Sequence, residues 1–229
     1  HKYNVQLIED LTINDQYKKK DVKILEAGCG NGMFYKFLNE KYNTIGVDRS
    51  QSFIKQSKLN NPGIKFIHGD LKDSLLFDEN SFTHITCLFD TLYHNYPSVN
   101  INLILANFNK WLKKDGYLCI HFFNKNKLDP TPREFSQYFF DSNNIKHSLT
   151  YFKYFSHDSW WIINKNKADY HEKYLFENGD KKIKIHNFNF PNKNKLIKTI
   201  TNNNFKLYDF TDYKNLEIYD INLYIFKKI

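Results

Sequence analysis

The sequence lacks any apolar run of about 18 residues, the length that a membrane-spanning helix needs; its apolar stretches, such as Ile85 to Phe89 and Tyr117 to Phe123, fall far short. No membrane partner is expected. No charged-then-apolar leader opens the sequence, so secretion is not indicated. Cysteine is scarce: Cys29, Cys87 and Cys119 form an odd set without metal-ligand spacing, and two of them sit in apolar, strand-like runs. That pattern excludes a disulfide framework, predicts no metal site, and fits small buried thiols in a reducing, cytoplasmic setting. Arginine is nearly absent. Only Arg49 and Arg133 carry the guanidinium that grips phosphate bidentately, and only Lys18-Lys19-Lys20 makes a basic run of three. The net charge of +8 therefore reads as a solvated lysine face rather than a nucleic-acid stripe. No internal repeat is present.

What is abundant is aromatic: 21 Phe and 16 Tyr within 229 residues supply a core and leave rings to line a pocket. From residue 22, short apolar runs alternate with amphipathic stretches of helix length, the rhythm of an α/β parallel sheet covered on both faces. Strands are expected at Val22–Ala27, Thr44–Val47, Ile64–Ile67, Phe82–Phe89 and Tyr117–Phe123, and helices near Gly32–Lys41, Ser50–Leu59 and Asn100–Lys113. Lys114-Asp115-Gly116 is expected to turn into the fifth strand. After Phe123 the rhythm changes. Asp129-Pro130-Thr131-Pro132 breaks structure, Tyr151 to Phe190 reads as extended, and Ala168–Phe176 and Lys182–Phe190 flank Asn178-Gly179, the dipeptide suited to a tight hairpin. A helix near Lys193–Thr201 and strands at Phe205–Thr211 and Asp220–Lys227, pairing as an antiparallel edge hairpin, complete the chain. The expected organisation is a core over residues 1–123, an insertion over 124–190, and residues 191–229 returning to the core.

The strongest motif is Val22-Lys23-Ile24-Leu25-Glu26-Ala27-Gly28-Cys29-Gly30-Asn31-Gly32, a buried strand running into a glycine-rich turn and a helix. Open α/β sheets bind ligands at the carboxyl ends of their strands, and glycines there let a ligand lie against the backbone. The glycines at 28, 30 and 32 depart from the G-x-G-x-x-G of dinucleotide folds, which argues against a nicotinamide cofactor. Asp48 ends the second strand twenty positions after Gly28, where an acid accepts hydrogen bonds from a ribose diol; a helix N-cap is its competing role, with Ser50 a rival cap. His68-Gly69-Asp70-Leu71 places a second acid at the end of the third strand, beside an apolar residue able to cover a ring.

These residues resemble the class I S-adenosylmethionine-dependent methyltransferases over roughly residues 20 to 125. Leu25 to Gly32 looks like the first motif of the family, Gly46-Val47-Asp48 like its acidic second-strand end, and Gly69-Asp70-Leu71 like its adenine-side acid. Phe82 to Phe89 resembles the fourth strand, and Trp111 to Leu118 the approach to the fifth, with Lys114-Asp115-Gly116 where the family often has Pro-Gly. The resemblance implies a doubly wound, Rossmann-like, seven-stranded sheet and S-adenosyl-L-methionine as cofactor. It would place Glu26, Gly28 and Gly30 around the methionine portion, Asp48 at the ribose and Asp70 at the adenine. Ala27, Asn31, Arg49, Leu71, Leu88 and Phe89 would complete the cofactor site.

The antiparallel insertion between the fifth strand and the last helix is also similar to small-molecule enzymes that N-methylate amino sugars or glycine, and Cys87-Leu88-Phe89-Asp90-Thr91-Leu92-Tyr93-His94 looks like the fourth-strand end of the amino-sugar enzymes. A small-molecule acceptor is therefore expected, with the insertion as its lid. An RNA or protein acceptor is the alternative; no Asn-Pro-Pro-Tyr or Asp-Pro-Pro-Tyr tetrapeptide follows the fourth strand. His94 is the candidate base and Tyr93 the second catalytic candidate, with Asp90 and Trp160 as acceptor-binding candidates. Oligomeric state leaves no mark in the sequence.

Overall fold

The protein is described from a computed structural model, covering all residues except 1–5, 7, 14–16, 36–40, 96–97, 124–127, 129–135 and 213–220. The chain divides into two compact units, one comprising His1–Phe122, Lys193–Asp212 and Asn222–Ile229, the other Phe123–Asn192 and Tyr213–Ile221. Among the described residues no helix is long and apolar enough to cross a membrane.

In the first unit, β1 (Lys23–Ala27), β2 (Asn43–Asp48), β3 (Lys65–His68), β4 (Phe82–Cys87) and β5 (Leu112–Phe123) join β11 (Phe205–Asp212) and β12 (Ile221–Lys228) in a seven-stranded sheet. The order is β11-β12-β5-β4-β1-β2-β3. The pairs β1–β2, β1–β4, β2–β3 and β4–β5 are parallel, and β11–β12 is antiparallel. The order reverses between β1 and β4, the switch point outside whose carboxyl ends doubly wound sheets bind ligands. Both faces of the inner strands are covered: all six residues of β4 are buried, its Thr83, His84 and Thr86 among them.

Helix α1 (Gln51–Asn60) starts at Ser50, whose hydroxyl accepts from Phe53 N, and packs on β2 and β3. Helix α2 (Ser98–Trp111) and helix α3 (Lys193–Thr201) pack together, and α3 also packs on β11. Leu25, Val47, Ile85, Ile104, Phe108, Trp111, Leu118 and Ile200 belong to the larger core; Cys29, Tyr35, Ile54 and Phe66 form a smaller one. Each large apolar side chain among them contributes about 1.5–3 kcal/mol over an exposed one.

Two boundaries differ from the sequence expectation, and two expectations lie outside the described residues. The helix expected over Gly32–Lys41 falls largely on residues 36–40, outside those described, as does the Asp129–Pro132 breaker. Helix α2 stops two residues early, and the turn expected at Lys114-Asp115-Gly116 lies inside β5. There the register slips, Leu112 opposing Phe82 and Tyr117 opposing His84, with Asp115 at φ 62°. Such a bulge absorbs extra residues without ending the strand.

The second unit is an antiparallel sheet of β6 (Gln137–Phe140), β7 (Lys146–Tyr151), β8 (Phe155–Asn164), β9 (Lys167–Phe176) and β10 (Lys181–Asn189), in the order β10-β9-β8-β7-β6. Each strand pairs with its chain neighbour. Gly179, at φ 86°, supplies the positive φ needed between β9 and β10.

Candidate functional site

The carboxyl ends of the parallel strands are tied together loop by loop. Gly28 N and Cys29 N both donate to Val47 O, at 2.8 and 2.9 Å, which folds the glycine turn over the end of β2. Asp48 then locks it: one carboxylate oxygen accepts from Gly30 N at 2.9 Å and the other from Ser50 N at 2.8 Å, so one side chain braces both the turn and the start of α1. Asp48 O accepts from Gly69 N, joining the third loop.

Gly28 and Gly30 need glycine for different reasons. Both have positive φ, 79° and 51°. A Cβ on Gly28 would collide with the Thr91 side chain, so this position holds the loop after β4 close to the turn. A Cβ on Gly30 meets nothing within 4 Å. The space there is open, as a backbone cradle for a ligand requires.

Glu26 lies on β1, 4% exposed, and its Oε2 has no hydrogen-bond partner. Burial raises its carboxyl well above the ordinary range; the Tyr35 hydroxyl opposes that rise, and the charge of Asp48 adds to it. A buried carboxyl oxygen without a partner calls for an explanation, and a cationic ligand group supplies one. Ala27 is buried beside it, and the carbonyl of Asn31 accepts from Asn60 Nδ2 at 3.0 Å.

Further along this edge, Arg49 is exposed and its carbonyl accepts from His68 Nε2 at 3.0 Å. Asp70 accepts from Lys72 N at 3.0 Å and forms an ion pair with Lys72 Nζ at 3.4 Å. Leu71 is buried in the larger core, its carbonyl accepting from Asn107 Nδ2 at 2.8 Å. Leu88 is buried, and Phe89 has φ 53°.

After β4 the chain makes a short 3-10 helix, Thr91–Asn95. His94 Nε2 lies 2.9 Å from Asp90 Oδ2, one helical turn back. The tautomer that donates from Nε2 to Asp90 carries its lone pair on Nδ1, as a base oriented by a carboxylate does. Tyr93 is buried, and its hydroxyl donates to His121 O at 3.3 Å. The structure thus brings the glycine turn, Asp48, the Gly69 loop and the Asp90–His94 segment to one edge of the sheet.

Trp160 belongs to the other unit. It stacks with His147 at 4.7 Å and His171 at 5.0 Å, one from each neighbouring strand, so both sides of its ring are occupied. Trp161 points to the opposite face of the sheet and packs with Tyr170 and Phe188.

Sequence reasoning missed Thr91, which fits against Gly28, and His121. His121 Nδ1 accepts from Phe89 N at 2.9 Å, and burial lowers the imidazole pKa to about 3, so it is neutral and can accept. Its sole signal in the sequence is a lone His inside the apolar run of β5. No group of three or more His, Cys, Asp or Glu suited to a metal ion occurs among the described residues.

Residues 24–116 match the model of the methyltransferase domain family. Over that stretch, less than half of its length, the chain is similar to methyltransferase domains. The match covers β1 to the bulge in β5, the stretch that carries the glycine turn, Asp48, Asp70 and His94. Among curated proteins, the chain is 30% identical over 152 residues to an uncharacterized protein of Methanocaldococcus jannaschii, across 66% of this chain and 60% of that one. It is 27% identical over 115 residues to the malonyl-[acyl-carrier protein] O-methyltransferase of Calditerrivibrio nitroreducens, across 48% and 42%. The chain therefore spans less than two thirds of the length of either relative. Among solved structures, it shares the fold of an S-adenosylmethionine-bound amino pentose methyltransferase from Micromonospora echinaspora, at a TM-score of 0.74 and 12% identity, covering all of this chain and 90% of the other. Within the matched stretch, Glu26 and Asp48 are the carboxylates that flank the glycine turn, the first two residues before it in β1 and the second bonded to it.

Proposed function

We propose that this protein transfers a methyl group from S-adenosyl-L-methionine to a small-molecule acceptor, an amino sugar or glycan precursor. The observation that carries the reading is the Gly30–Asp48–Ser50 bracket beside an open glycine and the unpartnered oxygen of Glu26. It provides backbone, carboxylate and space together, which suits a nucleoside that carries an amino acid. The amino pentose methyltransferase of the same fold supports the acceptor class.

In this reading Glu26, Ala27, Gly28, Gly30 and Asn31 hold the amino-acid portion. Asp48 and Arg49 face the ribose, and Asp70, Leu71, Leu88 and Phe89 bound the adenine. When bound, the cofactor supplies an electrophilic methyl on a sulfonium, so the protein contributes alignment and exclusion of water. An amine acceptor needs only its neutral lone pair; a hydroxyl gains from a base. His94, oriented by Asp90, takes that proton on Nδ1, while Tyr93 anchors the segment through its bond to β5. Residues 1–123 with 191–229 form the cofactor core, and residues 124–190 recognise the acceptor. The three buried free thiols suit a reducing cytoplasm.

Transfer of a labelled methyl group to a panel of amino sugars, nucleotide-linked sugars, RNA and basic peptides tests the reading. Labelling of an amino sugar with little dependence on salt is expected. Labelling of RNA that falls steeply between about 50 and 200 mM salt would put a nucleic-acid acceptor in its place.

A further inference from the structure

The neighbours of Glu26 across the parallel sheet leave a gap that a distant side chain fills. Register sets Glu26 opposite Gly46 on β2 and Thr86 on β4, with Phe66 on β3 opposite Gly46. Residues opposite one another project to the same face, so these positions lie in line. The Thr86 hydroxyl is engaged, donating to Leu25 O at 3.3 Å. Gly46 leaves its place open, and Tyr35 occupies it: a Cβ there would lie 2.7 Å from the Tyr35 hydroxyl oxygen and 2.7 Å from the Phe66 ring. The Tyr35 and Phe66 rings pack T-shaped at 4.9 Å, which holds the phenol on the face that Glu26 shares.

Both groups are short of partners. Tyr35 is 3% exposed and its hydroxyl has no hydrogen-bond partner, like Glu26 Oε2. A buried phenol that bonds nothing gains nothing over phenylalanine, so its use lies with the carboxyl beside it. Burial first, then the charge of Glu26, raises the phenol well above its ordinary value, so it keeps the proton it has to donate. The other titratable groups that face Glu26 are Asp48 on β2, Cys29 in the turn and Cys87 on β4. Burial pushes both thiols up, leaving them neutral, and Asp48 accepts from Gly30 N and Ser50 N. None of these groups is cationic, and among them Tyr35 is the hydrogen-bond donor that favours a charged Glu26.

We propose that Tyr35 is a positioning residue of the cofactor site: from the place left by Gly46, its hydroxyl donates to the charged Glu26 carboxylate and holds it for the α-ammonium of S-adenosyl-L-methionine. The inference rests on the function proposed above and adds a residue to its site. One event satisfies both unpartnered atoms, since an ammonium favours the carboxylate form and the carboxylate accepts from the phenol. Binding therefore expels the proton that the buried carboxyl carries in the free protein. By linkage, affinity rises with pH until Glu26 is already charged.

The test is calorimetry on the full chain between about pH 5.5 and 8. It compares S-adenosylhomocysteine, which keeps the α-ammonium, with 5′-methylthioadenosine, which lacks the amino-acid portion. Tyr35→Phe removes one buried, unpartnered oxygen, so its melting temperature holds. It is expected to bind S-adenosylhomocysteine about tenfold more weakly at neutral pH, with the pH profile displaced upward by about one unit and 5′-methylthioadenosine unaffected. Glu26→Gln binds S-adenosylhomocysteine weakly at every pH, and adding Tyr35→Phe to it changes nothing further. Tyr35→Phe that binds S-adenosylhomocysteine like wild type overturns the inference, as does Tyr35→Phe that loses both ligands equally or keeps the wild-type pH profile. Wild type that binds neither ligand overturns the proposed function and this inference with it.

Discussion

At the scale of single residues, two glycines two positions apart carry separable duties. Alanine at Gly28 has to hold a positive φ and push aside Thr91. We expect Gly28→Ala to cost about 2–4 kcal/mol, combining left-handed strain with overpacking, read as a lower urea midpoint. Gly30→Ala meets no neighbour and costs about 1–2 kcal/mol from φ alone. Its methyl group occupies the open cradle, so its S-adenosylmethionine affinity falls more than tenfold while it stays folded. A Gly30→Ala variant that binds like wild type would place the cofactor elsewhere. The glycine turn and Asp48 were legible in the sequence because strand, turn and acid occur at a spacing that one backbone geometry imposes. The N-cap role weighed there for Asp48 falls to Ser50, which caps α1, while Asp48 holds the Ser50 backbone and the turn. His121 and Thr91 were illegible, because a His in an apolar strand and a Thr after one look like core and loop until β5 and the turn are brought beside them.

At the scale of elements, the C-terminal strand staples a helix. Lys228 Nζ donates to the carbonyls of Asn109 and Leu112, each at 2.7 Å, satisfying acceptors at the end of α2. Lys228→Ala is expected to lose about 1–2 kcal/mol of stability by urea titration, since those acceptors lose a charged donor. In the other sheet, the Glu172 carboxyl has a pKa held near 2 by its His157, His186 and Tyr174 donors. An acid whose native pKa lies below its unfolded value stabilises the fold fully above the unfolded pKa, about 4.5, and loses that contribution as pH falls toward 2. The stability gap between wild type and Glu172→Gln should therefore narrow across that window. The hairpin β9–β10 was legible from Asn178-Gly179, the one turn there with an unambiguous chemical signature. Strands β6 and β7 were not: β6 is exposed along its whole length, so burial imposes no alternation on its sequence.

At the scale of the whole molecule, the parallel sheet was legible because short strands with apolar centres, such as Ile24-Leu25 and Ile45-Gly46-Val47, alternate with helices that need one apolar side. The bulge in β5 was not, since Lys113-Lys114-Asp115-Gly116 has the composition of a turn whether or not the strand continues through it. Two buried imidazoles set the acid limit of the fold. Burial lowers the His84 pKa to about 4 and the His121 pKa to about 3. Below about 6.5 the unfolded chain takes up protons that the native state refuses, so stability is complete above that pH and declines as pH falls toward 4. The two imidazoles together contribute a slope that approaches two protons, about 2.7 kcal/mol per pH unit, and Glu26, whose raised carboxyl holds its proton in the native state, subtracts from it; urea midpoints between about pH 7 and 4.5 read the difference. A His84→Gln variant should lose one proton of that slope.

The central claim, that the Gly28–Asp48 edge holds S-adenosylmethionine, is tested most directly by calorimetry of the cofactor and its demethylated product with wild type and Asp48→Ala. The account predicts that wild type binds both and that Asp48→Ala, still folded by circular dichroism, binds each at least tenfold more weakly. A folded wild type that binds neither would contradict it.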